Sequence, residues 1–411
     1  MDIITSKLEN LDKIVFESRN LNKEMVVNYL EKKDQEIAAI RDKNRYEMVS
    51  YRFRTLLTSI GCITYKRRYY YDHIDQEYVY LLDNQLELPK YTRYSNELRI
   101  NILKMASELT YRVLGRELSY DFTLGKSTVY KIIKDTLIKE VLPPIYRNNK
   151  EDVVHLQIDE KYIGMVNKRN KAKYYTATIF LGESFVHSRR ILLNKTVLSS
   201  SKLEDLTSKI RDNLRNRYQV KEDELIYISG DFASYIRKFN NRIDDICKPI
   251  YVPDKFHVKK TLKDEFGLLL NDYELNEKDN ISLIVKSTSK DSSPSLKGLA
   301  KVIRNNPNCF THYQDDKYLG CSQEGMNSHI YSPRFSKHQN RFNPLTIEKL
   351  SLIREAYVNH AQVRVISSSR KSEEIKMINL NKYRISFDFI RNDIDVSKVN
   401  RQIRIIEGLL T

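Results

Sequence analysis

Two aspartates follow apolar runs that have the composition of buried strands. Asp159 ends the run HLQID, and Asp231 follows the glycine of IYISGD. If the two strands are neighbours in one sheet, both carboxylates emerge at the same edge and repel each other unless a cation neutralises them. Mg²⁺ takes such oxygen ligands, and two ions of this kind can activate water or a hydroxyl against a phosphodiester. The pair therefore predicts a two-metal site.

A two-metal site usually includes a third carboxylate, and Glu324 is the best candidate. Glu324 lies in QEGMNSH, where it opens a predicted helix, and Asn327 and His329 follow it. The next segment is basic and would suit the binding of phosphates. Its candidate phosphate-binding residues are Arg334, Lys337 and Arg341. Many glutamates open helices, so Glu324 is less distinctive than the two aspartates.

Each candidate also has a structural explanation. An aspartate after a strand commonly caps the next helix, and this explains either aspartate alone as well as metal binding does. Glu160 could be the ligand in place of Asp159, although strand alternation would turn it to the other face. Asp254 and His257, in VPDKFHVKK, lie within one helical turn. Without cysteine partners they make a poor zinc site, so we expect Asp254 to cap the helix and His257 to lie near the site.

The elements that must position these residues form an α/β pattern with a mixed sheet. VVHLQID, KYYTATIFL and SFVHSRRILL predict three meander strands, with a hairpin turn at Gly182-Glu183. ELIYIS and KPIYVPD predict two further strands that alternate with helices. The core would comprise residues 150–257 and 321–367, with a helical insertion at 258–320, a long final helix over about 345–366 and a polar tail at 368–411.

The part of the chain before this core has three predicted regions. Residues 1–50 are predicted to form an exposed or partner-binding helix pair, 51–92 a small antiparallel hairpin, and 93–145 a helix-turn-helix-like region whose later helix is capped by Ser127. The residues there that could contact DNA are Lys66, Arg67, Arg68, Ser127, Thr128, Tyr130 and Lys131. An alternating strand with one solvated face explains KRRYYY equally well, and any small helical bundle contains such turns.

Composition narrows the class of protein. The 411 residues include 70 Lys and Arg against 54 Asp and Glu, a formal net charge of +16, which favours a polyanionic partner such as nucleic acid. A bias toward Lys, Asn, Ile and Tyr, as found in AT-rich genomes, also raises the basic count. The four cysteines are scattered without CxxC pairs, so neither a zinc ribbon nor a disulfide framework is supported. No apolar run has the length of a membrane span and no signal peptide is recognisable, so we expect a cytoplasmic protein.

Four motifs together resemble those of a known family. HLQIDEKY, SGDFASYIRK, VPDKFHVKK and EGMNSHIYSPRFSKH, in this order, resemble the DDE transposases of bacterial insertion sequences, most closely the ISLre type, formerly an uncharacterised protein family. The resemblance implies a ribonuclease H-like core with a helical insertion, in which Asp159, Asp231 and Glu324 hold two Mg²⁺ or Mn²⁺ ions. The separations are 231 − 159 = 72 and 324 − 231 = 93 residues. The D-x-x-H of Asp254 and His257 is similar to a signature of the Mutator-like group.

The sequence departs from that family at two positions. The family tends to have Gly after the second aspartate and Trp three residues later, where this chain has Phe232 and Tyr235. The departure leaves open whether this copy is active.

The resemblance implies a transposition reaction. Water would attack phosphodiesters at the terminal inverted repeats of an element, and the freed 3′-OH would attack double-stranded target DNA. A homo-oligomer is expected because two DNA ends must be joined. The alternatives are a catalytically inactive or domesticated DNA-binding protein and a related nuclease that cuts without strand transfer.

Overall fold

The computed structural model describes residues 5–86, 88, 90–118, 121–145, 147, 153–166, 171–187, 189–336 and 341–367. The helices, numbered in chain order, are α1 (Thr5–Ile40), α2 (Leu81–Gln85), α3 (Asn96–Glu108), α4 (Tyr111–Glu117), α5 (Lys126–Asp135), α6 (Leu203–Asp212), α7 (Ser234–Arg237), α8 (Lys255–Phe266), α9 (Lys278–Lys286), α10 (Pro294–Asn305), α11 (Gln323–Ile330), α12 (Ser332–Phe335) and α13 (Pro344–Val358). The strands are β1 (Tyr46–Thr58), β2 (Gly61–Asp72), β3 (Glu77–Val79), β4 (Thr136–Val141), β5 (Val154–Ile163), β6 (Ala172–Phe180), β7 (Gly182–Val186), β8 (Arg189–Leu193), β9 (Thr196–Ser200), β10 (Leu225–Gly230), β11 (Lys248–Pro253) and β12 (Gln362–Ser367). Among these helices, none combines the length and apolar character needed to cross a bilayer.

The centre of the molecule is a mixed five-stranded sheet in the order β11-β10-β5-β6-β9. β5, β10 and β11 are parallel, whereas β6 runs antiparallel to both β5 and β9. The predicted α/β class with a mixed sheet is confirmed. The first and fourth strands of the core, β5 and β10, are neighbours, so the condition for bringing Asp159 and Asp231 to one edge is met.

The third strand of the meander was predicted at the wrong place. SFVHSRRILL forms a separate two-stranded ribbon, β7–β8, which turns at His187 rather than at Gly182-Glu183. The third sheet strand is β9, the short run TVLSS, whose residues are all buried. β9 packs against α6 and α13. Burial by these tertiary contacts explains how a run with small polar residues forms a strand of the five-stranded sheet.

A second core joins the predicted helix-turn-helix-like region to the sheet. α3, α4 and α5 pack with α13 and with side chains from β5 and β6, among them Ile163 and Tyr174. Three buried or half-buried cations of the later chain bind carbonyl groups at the ends of these helices, where the helix dipole favours positive charge. They are Arg334 to Ala106, Arg354 to Ser107, and Lys349 to Ile133. The helical region is thus packed into the same body as the sheet.

Two helix boundaries in this region differ from the predictions. The cap of α5 is Gly125, and Ser127 lies inside the helix. The helix also ends at Asp135, because the following residues pair antiparallel with β12. The same pairing shortens the final helix, which ends at Val358 rather than near residue 366.

The N-terminal region contains one long helix instead of the predicted pair. α1 runs unbroken for 36 residues and packs on β2 and α2. The hairpin β1–β2 turns at residues 59–60, and DHIDQE connects β2 to a third strand, β3. Arg54, Arg67 and Asp83 form a buried ionic group beneath this small sheet.

Candidate metal centre

The close approach of β5 and β10 depends on Gly230. A Cβ at this position would lie 2.5 Å from the carbonyl oxygen of Ile158 and 2.8 Å from a methyl carbon of Ile236. Any side chain would therefore force the end of β10 away from β5. Because residue 230 is glycine, Asp231 follows directly beside Asp159, and the charge of Asp231 helps to raise the pKa of Asp159.

Asp159 is a half-buried carboxylate held by two hydrogen bonds. Its Oδ1 accepts from the amide of Glu160 at 2.7 Å, and its Oδ2 accepts from Nδ2 of Asn327 at 2.7 Å. Burial raises the pKa of Asp159 to about 6, and Asp231 adds to this, while both hydrogen bonds and the charge of His257 act in the opposite direction. Burial and a neighbouring like charge both penalise the ionised form.

Asp231 stabilises a local turn before α7 and faces the other carboxylates at the same time, whereas the N-cap of α7 is Ala233 and no side chain caps that helix. Its Oδ1 accepts from the amide of Ala233 at 2.9 Å, just before α7. Burial raises the pKa of Asp231, and the charge of Glu160 adds to the effect. The alternative that Asp231 caps the next helix is therefore wrong, and its bond to the backbone in this turn uses only one of its two oxygens.

Glu160 belongs to the surroundings of the pair. Its Oε1 accepts from Lys173 and, at 3.1 Å, from the hydroxyl of Tyr162. This pairing with a lysine occupies Glu160, whereas Asp159 and Asp231 form no salt bridge within the described ranges. Asp159 is therefore the better candidate ligand of the two adjacent acids.

Helix α11 is fixed to the sheet by a buried polar network. In β5, the amide of Gln157 donates to the carbonyl of Gly320 at 2.9 Å and accepts from the amide of Ser322 at 3.1 Å. Gln323 donates to the hydroxyl of Thr176 on β6 at 3.2 Å. With the Asn327–Asp159 hydrogen bond, these contacts place the start of α11 against the middle of β5 and β6.

Glu324 is exposed on α11, one turn before Asn327. Residues three apart on a helix lie on the same side, so Glu324 is on the side of the helix that approaches Asp159. Its charge contributes to the raised pKa of Asp254. His329 is exposed on the same helix.

Asp254 and His257 lie between the second aspartate and Glu324. Asp254 caps α8, as expected, by accepting from the amide of Phe256 at 3.1 Å. Nε2 of His257 is 3.7 Å from Oδ2 of Asp254. Burial raises the pKa of Asp254, and Glu324 and Asp231 add to it. Asp254 is thus close enough to both Asp231 and Glu324, two residues of the predicted site, for their charges to raise its pKa.

The residues fit a hard divalent cation. Asp159 and Asp231 are half-buried oxygen donors, and their ionised forms repel each other, which a bound cation would relieve. In the described part of the chain, Oδ1 of Asn327 and Oε2 of Glu160 are buried without a hydrogen-bond partner. Among the same residues, no three Asp, Glu, His or Cys side chains already stand close enough to hold an ion. Glu324 would therefore have to turn inward to complete a three-carboxylate site.

The predicted DNA-contacting residues differ in how far their side chains are exposed. Lys66, Ser127, Lys131 and Arg341 are exposed, Thr128 and Tyr130 are half-buried, and Lys337 lies outside the described residues. Arg68 is half-buried and pairs with Asp34. Arg67 and Arg334 are buried, so the prediction that these two side chains lie on a DNA-contacting surface was wrong. Arg67 pairs with Asp83, and Arg334 caps α3 and lies over the ring of Phe342.

Sequence reasoning missed the polar network that holds α11. Gln157 and Asp159 are two residues apart in β5, and strand alternation puts both on one face. An amide on the same face as a candidate ligand was the available signal. The partners Thr176 and Gln323 had no comparable signal, because their role depends on how the helix meets the sheet.

Comparison with known proteins identifies the family. A family model described as "Uncharacterised protein family (UPF0236)" matches residues 5–371. The chain belongs to this family.

Members of UPF0236 from Caldanaerobacter subterraneus subsp. tengcongensis align along most of the chain. UPF0236 protein TTE0610/TTE0881/TTE1053/TTE2432 is 25% identical over 398 residues, which cover 93% of this chain and 79% of that protein. UPF0236 protein TTE2489 is 24% identical over 400 residues, covering 94% and 80%. A third relative, whose name joins eleven designations from TTE0033 to TTE2212, is 24% identical over 400 residues, covering 94% and 79%.

Proposed function

We propose that this UPF0236 protein is a metal-dependent DNA transposase with a ribonuclease H-like core. It would cleave phosphodiesters at the ends of an insertion sequence and transfer the 3′-OH to target DNA. The observation that carries the proposal is the Asn327–Asp159 hydrogen bond. It joins the helix that bears Glu324 to the part of β5 where Asp159 lies beside Asp231, so that three distant parts of the chain converge on one acidic region.

The sheet topology is compatible with such a core. In chain order the five strands are β5, β6, β9, β10 and β11, and they lie in the order fifth, fourth, first, second, third. Only the second strand runs antiparallel to the others in the sheet. In this arrangement the first and fourth strands are parallel neighbours, which is the geometry that an aspartate at each strand end requires.

The chain's own residues would divide the work. Asp159 and Asp231 would hold two Mg²⁺ or Mn²⁺ ions, with Glu324 as the third ligand. Such ions activate the attacking oxygen and stabilise the leaving oxygen of a phosphodiester. Asn327 would orient Asp159, as residues that hydrogen-bond a metal ligand commonly do. The net charge of +16 would favour the approach of DNA.

The names of the relatives support a mobile gene. One joins eleven TTE designations and another joins four, all in a single organism. Several designations for one polypeptide are what a gene present in many copies produces, as an element that copies or moves itself would be. For this chain, that likeness supports terminal inverted repeats and target DNA as the proposed partners.

The test compares two Asp→Asn variants at opposite ends of β10. Purified full chain is incubated with DNA taken from the flanks of its gene, in Mg²⁺ or Mn²⁺, and nicking is followed on gels. Asp231→Asn should reduce the cleavage rate by about a thousandfold or more, because it removes a charged ligand while keeping the shape. Asp223→Asn, at an exposed position just before β10, should change it by less than about threefold.

The outcomes separate three kinds of protein. Strand transfer into a plasmid supports the transposase. Nicking without strand transfer would indicate a related nuclease. Wild type that binds this DNA but never nicks it in either metal would overturn the enzymatic proposal and leave a non-catalytic DNA-binding protein.

A further inference from the structure

Helix α1 uses one side for the fold of its own chain. Val27, Leu30 and Ile37 pack into the small N-terminal core with Leu56 and Leu82. Two acids on the same side of α1 serve the edge of β2, where Glu31 accepts from the amide of Lys66 at 2.9 Å and Asp34 from the amide of Arg68 at 3.2 Å. This side of the helix is fully used.

The opposite side of α1 carries exposed apolar side chains. Leu21, Met25 and Tyr29 form an outer stripe, with 60%, 68% and 61% of their surfaces exposed. At about 100° per residue, the centre of the outer stripe lies about 180° from the side that packs on β2. Large exposed apolar residues are unremarkable when they are scattered, but these three follow one another turn by turn.

Leu21 and Met25 of the outer stripe continue a spacing in the sequence that is typical of a helix that pairs with another helix, while Tyr29 lies one residue beyond the next position of that spacing. In the sequence, Leu11, Ile14, Leu21 and Met25 stand at positions that alternate between steps of three and four residues when Ser18 is included. Apolar residues at this 3.5-residue period form the seam of a coiled coil. The inward side of α1 already has its partner in β2, so the pattern on the outward side requires a second explanation.

The charge of α1 identifies the kind of partner. Residues 5–40 contain six Lys and Arg and seven Asp and Glu, so the helix has a net charge of 6 − 7 = −1 within a chain of +16. A DNA backbone gains little from such a surface. Two copies of this helix can approach without the repulsion that two copies of the basic remainder would suffer.

We propose that the outer stripe is the surface through which two copies of this chain associate, α1 against α1. An apolar seam with mixed flanking charges is self-complementary, as an interface between identical surfaces on two copies must be. The inference deepens the proposed function by naming the contact that would hold two copies while two DNA ends are joined. Its test needs neither DNA nor cleavage, so it succeeds or fails separately from the enzymatic proposal.

The experiment measures the mass of the full chain in solution. Nuclease-treated protein is examined by analytical ultracentrifugation in high salt over a range of concentrations. Wild type should be dimeric, and the double variant Leu21→Glu/Met25→Glu should dissociate with a dimer dissociation constant raised by about tenfold or more, because it buries four carboxylates in the seam. The matched control is Ile74→Glu, at a side chain that is 67% exposed in the connection between β2 and β3.

Circular dichroism of each variant establishes that the helix content is retained. Ile74→Glu should remain a dimer. The proposal is overturned if wild type is a monomer throughout, or if the double variant dimerises as tightly as Ile74→Glu does. The latter result would assign association to another part of the chain.

Discussion

Asp159, which is half-buried, and Glu355, which is buried, are both carboxyl groups with raised pKa values, but their surroundings differ. Burial raises the pKa of Asp159 to about 6 and that of Glu355 to about 7. Glu355 lies in α13 and accepts hydrogen bonds from the hydroxyls of Ser199 and Tyr331. Asp159 instead lies near Asp231, whose charge helps to raise the pKa of Asp159. The charge of Glu160 likewise raises the pKa of Asp231, and the charge of Asp231 raises that of Asp254.

The contrast shows that a raised pKa alone does not mark a functional site. Hydroxyl donors satisfy Glu355 in place, and the charge of Lys209 opposes its pKa rise. Such a group ties α13 to β9 and to the end of α11, and it is structural. The acids around Asp159 repel one another at the edge of a sheet, and this arrangement gains from an added cation. We therefore infer that the groups in contact with each carboxyl, rather than its raised pKa, distinguish the two.

The largest expected difference comes from neutralising each acid in turn. Asp159→Asn should lower DNA cleavage by about a thousandfold, because it removes a charged ligand of the proposed metal site. Glu355→Gln should leave cleavage within about threefold of wild type, since its amide oxygen can still accept from the hydroxyls. Cleavage rates of both variants on the same DNA make the comparison.

Metal binding provides the control for this pair. Mn²⁺ at about a hundred times its dissociation constant stabilises the protein that binds it by about 3 kcal/mol. Thermal unfolding at pH 8 should show this stabilisation for wild type and Glu355→Gln and a much smaller one for Asp159→Asn. Equal stabilisation of all three proteins would contradict the assignment of Asp159 as a ligand.

A smaller difference in cleavage is expected between variants of two buried asparagines, one beside Asp159 and one in the region of Glu355. Asn327 holds Asp159, whereas Asn359 accepts from the amide of Val197 at 2.7 Å and donates to its carbonyl at 2.9 Å. Asn327→Ala should reduce cleavage by about 10- to 100-fold through misplacement of the ligand. Asn359→Ala should lower the free energy of unfolding by about 1–3 kcal/mol and leave cleavage by the folded protein nearly unchanged.

Cleavage measured at a temperature where both variants are folded separates the two effects. If Asn327→Ala cleaves like wild type, the hydrogen bond to Asp159 has no positioning role, and the main structural support for Glu324 in the site is lost.

The same contrast explains how far sequence reasoning could go. Asp159 and Asp231 were recognisable because each follows an apolar run, and local pattern is sufficient to place a strand. The predicted strand end at Asp159 was wrong, because β5 continues to Ile163, whereas β10 does end directly before Asp231. The cap at Asp254 is also local. The third strand β9 was missed because Thr196–Ser200 is polar in composition, and only its burial against α6 and α13 makes it a strand.

Side-chain placement was harder to predict than strand order. Arg67 and Arg334 are basic in the sequence, but each meets a distant partner, Asp83 and the end of α3, that buries it. The role of Asn327 is of the same kind, since its hydrogen-bond partner lies 168 residues earlier. Contacts between residues this far apart follow from the packing of elements, and a single sequence does not contain that geometry.

The smallest expected effect is the pH dependence that Glu355 gives to stability. Folding raises the pKa of Glu355 from its usual 4.5 to about 7, so the folded chain binds this proton more tightly than the unfolded chain does. The stabilisation is therefore complete below pH 4.5 and is lost as the pH rises through about 7. The loss is at most about 3 kcal/mol.

Urea unfolding at pH 5 and pH 8 measures this loss. The free energy of unfolding should fall less between the two pH values for Glu355→Gln than for wild type. For Glu204→Gln, at an exposed position on α6, it should fall as it does for wild type. Identical falls for wild type and Glu355→Gln would mean that Glu355 does not titrate in this range. Glu355 and Asp159 would then differ in their protonation as well as in their surroundings.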